Sequence, residues 1–320
     1  MDKPTFKDVL LARKLIRPYL LPTALHTYPA IDELIGTRVF IKHENHQPVG
    51  AFKIRGGINL ISQLSPDERV KGVIAASTGN HGQSVSYAAR LFGIRAQIVV
   101  PVGANPGKVA SMQGMGAEVI SHGANFDEAR LHCESLARAG GLRYIHSGDE
   151  PLLIAGVATE ALEMLENEPE LDLIIVPIGG GSGAAGVSIV AHAVSPHTKV
   201  IGVQSEQSPA AYQSWRSRRL VEAPNLTVAE GLATGTAFSL PQAILWDLLD
   251  DFVLVNDDEI ATALVWMIER AHTLAESAGA APLAAAYKLK SQLKGKRVAL
   301  VCSGGNTSLG QLREALNRAT

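Results

Sequence analysis

Cysteine is almost absent from this chain: only Cys133 and Cys302 occur in 320 residues, far apart and at no metal-ligand or redox spacing. That excludes a disulfide scaffold and a cysteine-rich metal knuckle, and it fits a reducing compartment, so both thiols are expected to be buried and the protein cytoplasmic. Charge of one sign is also lacking. The formal net charge is −2 and no block of like charges runs along the chain, which leaves a phosphate backbone nothing to grip and excludes a nucleic-acid partner. No stretch approaches the roughly 18 continuous apolar residues of a membrane helix, so no membrane partner is expected. Met1 to Leu21 mixes Lys and Arg with Asp2 and Asp8 and reaches Pro22 without an apolar centre or a small-residue cleavage site, so a packing helix is expected there. No Ser/Pro linker, low-complexity tract or internal repeat divides the chain. It ends soon after its last apolar run and helical pattern, so no appended regulatory domain is expected.

What is present is a large apolar fraction, 46%, enough for one large domain or two closely joined ones. Short, nearly continuous apolar runs recur at Val39 to Ile41, Val73 to Ala76, Ile98 to Val100, Leu173 to Ile178, Val200 to Val203, Phe252 to Val255 and Val298 to Val301. Such runs are strands buried on both faces. Helical patterns lie between them. Val85, Ala88, Ala89 and Phe92 share a face that Gly93 closes, and another helix starts at Asn256, with Asp257, Asp258 and Glu259 in its first turn. Alternating strand and helix predicts an α/β fold with a mostly parallel sheet.

In open α/β sheets ligands bind beyond the carboxyl ends of the strands, so polar loops that leave a strand and open a helix are the candidates. Four stand out. His43 to Gly57 carries Lys53 at the start of a helical stretch, with Phe52 before it and Gly50, Gly56 and Gly57 around it; a lone Lys is commonly solvated, but these neighbours indicate close packing. Ser77-Thr78-Gly79-Asn80-His81-Gly82 would cap a helix or offer amides and hydroxyls to a carboxylate. Gly179-Gly180-Gly181-Ser182-Gly183 lets backbone amides close on an anion at a helix amino terminus. Cys302-Ser303-Gly304-Gly305-Asn306 alone is an ordinary turn and cap. Gly181, Gly183 and Gly186 also satisfy G-x-G-x-x-G, with Glu206 placed for a ribose, but a dinucleotide site would leave the Lys53 and Ser77 loops without a task.

In this order the four loops resemble those of the tryptophan-synthase-beta-like, fold-type II group of pyridoxal phosphate enzymes, in its serine/threonine dehydratase and serine racemase branch. The resemblance spans most of the chain. Ala51-Phe52-Lys53-Ile54-Arg55-Gly56 is similar to the family's Ser-Phe-Lys-x-Arg-Gly, which implies that Lys53 bonds pyridoxal 5'-phosphate as a Schiff base and Phe52 packs on its ring. The asparagine loop implies that Ser77, Thr78, Gly79 and His81 hold a substrate carboxylate while Asn80 reaches the cofactor's phenolic oxygen. Gly179, Gly180, Gly181 and Gly183 would form the phosphate loop, with Ser182 in place of the fourth glycine and able to donate a hydroxyl. Ser303 would face the pyridine nitrogen, and Glu276-Ser277-Ala278-Gly279 resembles a Glu-Pro-x-Gly segment bordering the site. The implied architecture is two open, mostly parallel-sheet domains, a small one at 72–142 inserted in a large one at 1–71 and 143–320. Family habit implies a homodimer.

Departures from the pattern narrow the expectation. Thr78 stands where serine racemases carry a second serine as base, and Gln204 and Ala210 replace the acidic pair with which some relatives hold a divalent cation, so no metal is expected. Arg130 matches an arginine that some relatives turn toward a second carboxylate, although a solvated helix Arg has the same appearance. The expected function is a cofactor-dependent threonine/serine dehydratase acting on a small amino acid; serine racemisation, or dehydration of 3-hydroxyaspartate or another hydroxylated amino acid, is the alternative.

Overall fold

The computed structural model describes residues 2–319. Among them, ten strands form two sheets: β1 Leu25–Thr27, β2 Arg38–His43, β3 Val73–Ala76, β4 Ala96–Val100, β5 Glu118–Ser121, β6 Arg143–Tyr144, β7 Leu173–Pro177, β8 Lys199–Ser205, β9 Asp251–Val255 and β10 Arg297–Cys302. Every apolar run of the sequence lies in or along one of them. The larger sheet has the order β1-β2-β10-β7-β8-β9 and the smaller β5-β4-β3-β6. Within the larger sheet only β1 is antiparallel; the smaller is parallel throughout.

Register decides where the loops emerge. Cys302 lies opposite His43 and Leu300 opposite Ile175, so β2, β10 and β7 release their chains side by side on one edge of the sheet. The strands are apolar on both faces because helices cover both: Ile41, Ile174, Ile175 and Val298 have no exposure. Each such side chain contributes about 1.5–3 kcal/mol through burial. Two helices are apolar all round and correspondingly sunk in the core, Ser182–Val194 and Ser277–Lys288. The Phe6–Ile16 helix instead buries one face, Val9, Ala12 and Ile16, with basic residues in its last turn.

β1, β5 and β6 have no counterpart among the apolar runs. β5 exposes Glu118 and Ser121 at the sheet edge and β6 is two residues long, so neither carries the continuous apolar pattern of a buried strand. β6 pairs with β3 although it lies beyond residue 142. The two sheets meet through the Lys53–Ser62 and Asn80–Leu91 helices. Gly57 makes this junction possible, since any Cβ there would collide with Ser84.

Candidate active site

Lys53 is the first residue of its helix, and the chain leading to it is tied to the neighbouring loop. Phe52 N–H donates to the Ser303 carbonyl (3.0 Å), Gly305 N–H donates to the Gly50 carbonyl (2.9 Å), and Ala51 bridges Gly304. Gly50 takes φ +67° at this crossing, and a Cβ there would press on the Asn306 amide. With its backbone fixed, Lys53 directs Nζ to the Ser147 carbonyl and the Ser182 hydroxyl, both at 2.9 Å. Burial pulls the lysine pKa down to about 8, opposed only to the extent that nearby Glu160 is ionised, so about a tenth of the amine is unprotonated near neutrality.

Ser182 begins the Ser182–Val194 helix, and Gly181 precedes it at φ +86°, a left-handed conformation that favours glycine. The first amides of any helix lack internal acceptors and point outward. Gly179 and Gly180 form the floor of the turn: a Cβ on Gly180 would enter the Phe238 ring, and one on Gly179 would strike the Gly231 carbonyl. The cradle is therefore open only to backbone, and its donors suit a phosphate beside a primary amine. The Phe52 ring lies against Gly183, with Lys53 Nζ 5.3 Å from its centroid.

β3 delivers the asparagine loop. Ser77 Oγ accepts from the amides of Gly79 (3.0 Å) and Gly82 (2.9 Å), so it caps the Asn80–Leu91 helix and still retains its own proton to donate. Thr78 is half-buried at the tip of the loop and Gly79 follows it, close to Lys108. Asn80 Nδ2 donates to Glu276 Oε1 (2.7 Å), and its Oδ1 accepts from Asn306 Nδ2 (2.8 Å). Asn306 Nδ2 also donates to the Val49 carbonyl (2.8 Å), so these two amides couple three of the loops. His81 Nε2 donates to the Ile145 carbonyl (3.0 Å); burial, and then Lys53, lower its pKa to about 3, which makes it a neutral ring. Burial raises the Glu276 carboxyl to about 7, against the opposing pull of Lys108.

All four sequence-selected loops thus converge, with Ser303 buried between Cys302 and Gly304 and its carbonyl engaged by Phe52. Other candidates lie elsewhere. Gln204 Oε1 accepts from Tyr212 N–H (3.0 Å) next to the buried Ala210, Arg130 pairs with Glu134 and Asp127, and Glu206 pairs with Lys288. Ser147 and Phe238 went unread in the sequence. Ser147 follows a strand too short to leave a pattern, and Phe238 reaches the glycine loop from a separate helix with no local signal at all. Glu160, a carboxyl amid the apolar residues Ala158, Ala161 and Leu162, offered a signal as a charged residue on a buried face.

The comparisons with known proteins agree with this geometry. The family model described as "Pyridoxal-phosphate dependent enzyme" matches residues 16–304. The chain is 38% identical over 317 residues to L-threonine ammonia-lyase of Thermotoga maritima, covering 98% of this chain and 78% of that one. It is 36% identical to L-threo-3-hydroxyaspartate ammonia-lyase of Saccharomyces cerevisiae, over 97% and 95% of the two chains. Serine racemase from Dictyostelium discoideum superposes with a TM-score of 0.90 at 35% identity, over 96% and 99%. A lysine amine set against a glycine-lined anion cradle, in a chain matched over nearly its whole length, places this protein among the pyridoxal-phosphate dependent enzymes.

Proposed function

We propose that this enzyme is a threonine/serine ammonia-lyase, converting a 3-hydroxy amino acid to a 2-oxo acid and ammonia. The observation that carries the proposal is the 2.9 Å contact of Lys53 Nζ with Ser182 at the head of the glycine loop. Its near-full-length likeness to an L-threonine ammonia-lyase supports the choice of reaction.

Lys53 would hold pyridoxal phosphate, Gly179 to Gly183 its phosphate, Asn80 its phenolic oxygen and Ser303 its ring nitrogen, with Phe52 packed beside it. Bound there, the cofactor supplies a conjugated electron sink for the pair left when the substrate's α-proton departs. Lys53, freed when the substrate's amine takes its place, would be the base: its buried setting lowers its affinity for a proton, so the released amine would take the α-hydrogen and hand it on readily. Ser77, whose oxygen is occupied by two amides, turns its hydroxyl proton toward the substrate carboxylate. Thr78 completes that pocket, Gly79 leaves it room because it has no side chain, and neutral His81 fixes the loop against Ile145. Asn80, held by Glu276 and Asn306, keeps one N–H for the cofactor. The β-hydroxyl would then leave as water with the proton that Lys53 removed, and hydrolysis by a second water would release the 2-oxo acid and ammonia.

The Dictyostelium racemase likeness keeps racemisation as the second reading, and Thr78 at the tip of the loop disfavours it. We take the four-stranded sheet with its helices to be the smaller domain. A homodimer is inferred from the family resemblance, to be checked by sedimentation; a cytoplasmic setting is inferred from two buried free cysteines. Among the described residues no helix is long and apolar enough to cross a membrane. The deciding experiment is a panel of hydroxy amino acids scored for 2-oxo acid and for enantiomer exchange. Threonine and serine should yield 2-oxo acid; interconversion of serine enantiomers without it, or release from 3-hydroxyaspartate alone, would overturn the assignment.

A further inference from the structure

The Thr159–Asn167 helix carries one buried group that the proposed chemistry leaves unused. Glu160 has no exposure, and neither of its carboxyl oxygens has a hydrogen-bond partner among the described residues. Charge counting shows why. Beneath the active site, Arg55 is gripped by Glu44 (2.8 Å) and Glu163 (2.6 Å), and Lys42 by Glu163 (2.5 Å). Two cations and two carboxylates close that network. Glu160 is a third carboxyl with no cation of its own.

Its position is informative. Glu160 Oε1 lies 3.8 Å from the point where a Cβ on Gly183 would stand, next to the Phe52 ring. Gly183 is the second residue of the helix that the glycine loop opens, and the residue before it, Ser182, holds Lys53. The unpaired carboxyl therefore stands directly behind the anion cradle. The groups facing it are Lys42 from β2, Glu44 from the following turn, Lys53 and Arg55 from the Lys53–Ser62 helix and Glu163 from its own helix. The Pro151–Val157 helix has no ionisable residue, and the Ser182–Val194 helix has none before His192. Arg13, on the Phe6–Ile16 helix, pairs with Glu166.

We propose that Glu160 is a positioning residue that must carry its proton for the Gly179–Gly183 loop to hold the cofactor's phosphate, so that its ionisation loosens the cofactor at alkaline pH. Burial is the main force keeping the proton in place, and Glu44 and Glu163 add to it against Arg55 and Lys42. An ionised Glu160 would set a carboxylate behind a bound phosphate in a wall of low dielectric, where like charges repel far more strongly than in water. The neutral acid leaves the helix terminus free to serve the phosphate alone.

This inference rests on Gly179–Gly183 being the phosphate loop, and the test separates the two. Holoenzyme is equilibrated with pyridoxal, which lacks the phosphate, and the exchange constant against pyridoxal phosphate is measured from about pH 7 to about pH 10. The bond to Lys53 is common to both ligands and cancels; the ligand's own titration cancels between protein variants. Wild type should shift toward pyridoxal by up to about tenfold per pH unit once Glu160 ionises, while Glu160→Gln should lack that shift. Glu160→Met, apolar and of similar length, should behave like Glu160→Gln and guards against mispacking of the amide. Wild type and both variants tracking one another would overturn the inference alone. Indifference of wild type to the phosphate at neutral pH would overturn the loop assignment, and the inference with it.

Discussion

Lys53 and Glu276 illustrate how environment assigns work to ordinary side chains. Replacing Lys53 by Ala removes both the cofactor's attachment point and the proposed base. Activity should fall by on the order of 10^3-fold or more, and borohydride should no longer fix cofactor on the peptide that contains residue 53. A variant that remained covalently labelled there would contradict the assignment. Glu276 makes a pH prediction. Its carboxyl is raised from an ordinary 4.5 to about 7, so between those values the native protein holds a proton that the unfolded chain has lost. Stability from this group is therefore greatest below the lower value, declines as pH rises through the window and does not recover above it. Glu276→Gln should remove that decline, so its melting temperature relative to wild type should rise between about pH 5 and about pH 8. Calorimetry showing parallel curves would mean that Asn80 and Lys108 already keep the carboxylate ionised.

At the scale of elements, the glycine loop is set by what presses on it. Gly180 faces Phe238 from the Ser239–Leu248 helix's leading end, and Gly179 faces Gly231, both distant in sequence. Gly180→Ala should cost about 1–3 kcal/mol through overpacking, measured by urea unfolding, and should weaken cofactor binding as the turn is displaced. Trimming the opposing ring in Gly180→Ala/Phe238→Leu should restore part of both losses. Failure of that rescue would place the strain elsewhere. The strands and the Asn256-capped helix were legible in the sequence because their signals are local: continuous apolar runs, and an N-cap with acidic residues in the first turn. β5 and β6 were not, because an exposed edge strand and a two-residue strand need no apolar run.

For the whole molecule, the site is a seam between two sheets. Lys108, on the Pro106–Gly114 helix beside β4, forms an ion pair with Glu230 of the larger sheet's side, which Gln311 also engages. The Lys108 end is buried, the Glu230 end exposed. A pair exposed at one end contributes less than about 1 kcal/mol to stability. Its consequence should appear in closure over substrate: Lys108→Met is expected to raise KM severalfold with little change in melting temperature. A double-mutant cycle with Glu230→Gln showing additive effects on KM would rule out a role for this ion pair in closure.

The sequence by itself determined the α/β class, the strands of the core, the lysine and the four polar loops. Each rests on neighbours within a few residues, where chain connectivity alone brings the groups together. Tertiary structure decided what those loops do to one another. Lys53 meets Ser147 and Ser182 across 94 and 129 residues, and Asn80 meets Glu276 and Asn306 across 196 and 226. No periodicity records such pairings; they exist because β2, β10 and β7 end level and the smaller sheet is docked beside them. Glu160 shows the difference most plainly. The chain reveals a carboxyl on a buried helical face, but only the packed network, in which Lys42 and Arg55 are already matched by Glu44 and Glu163, makes it the one left over.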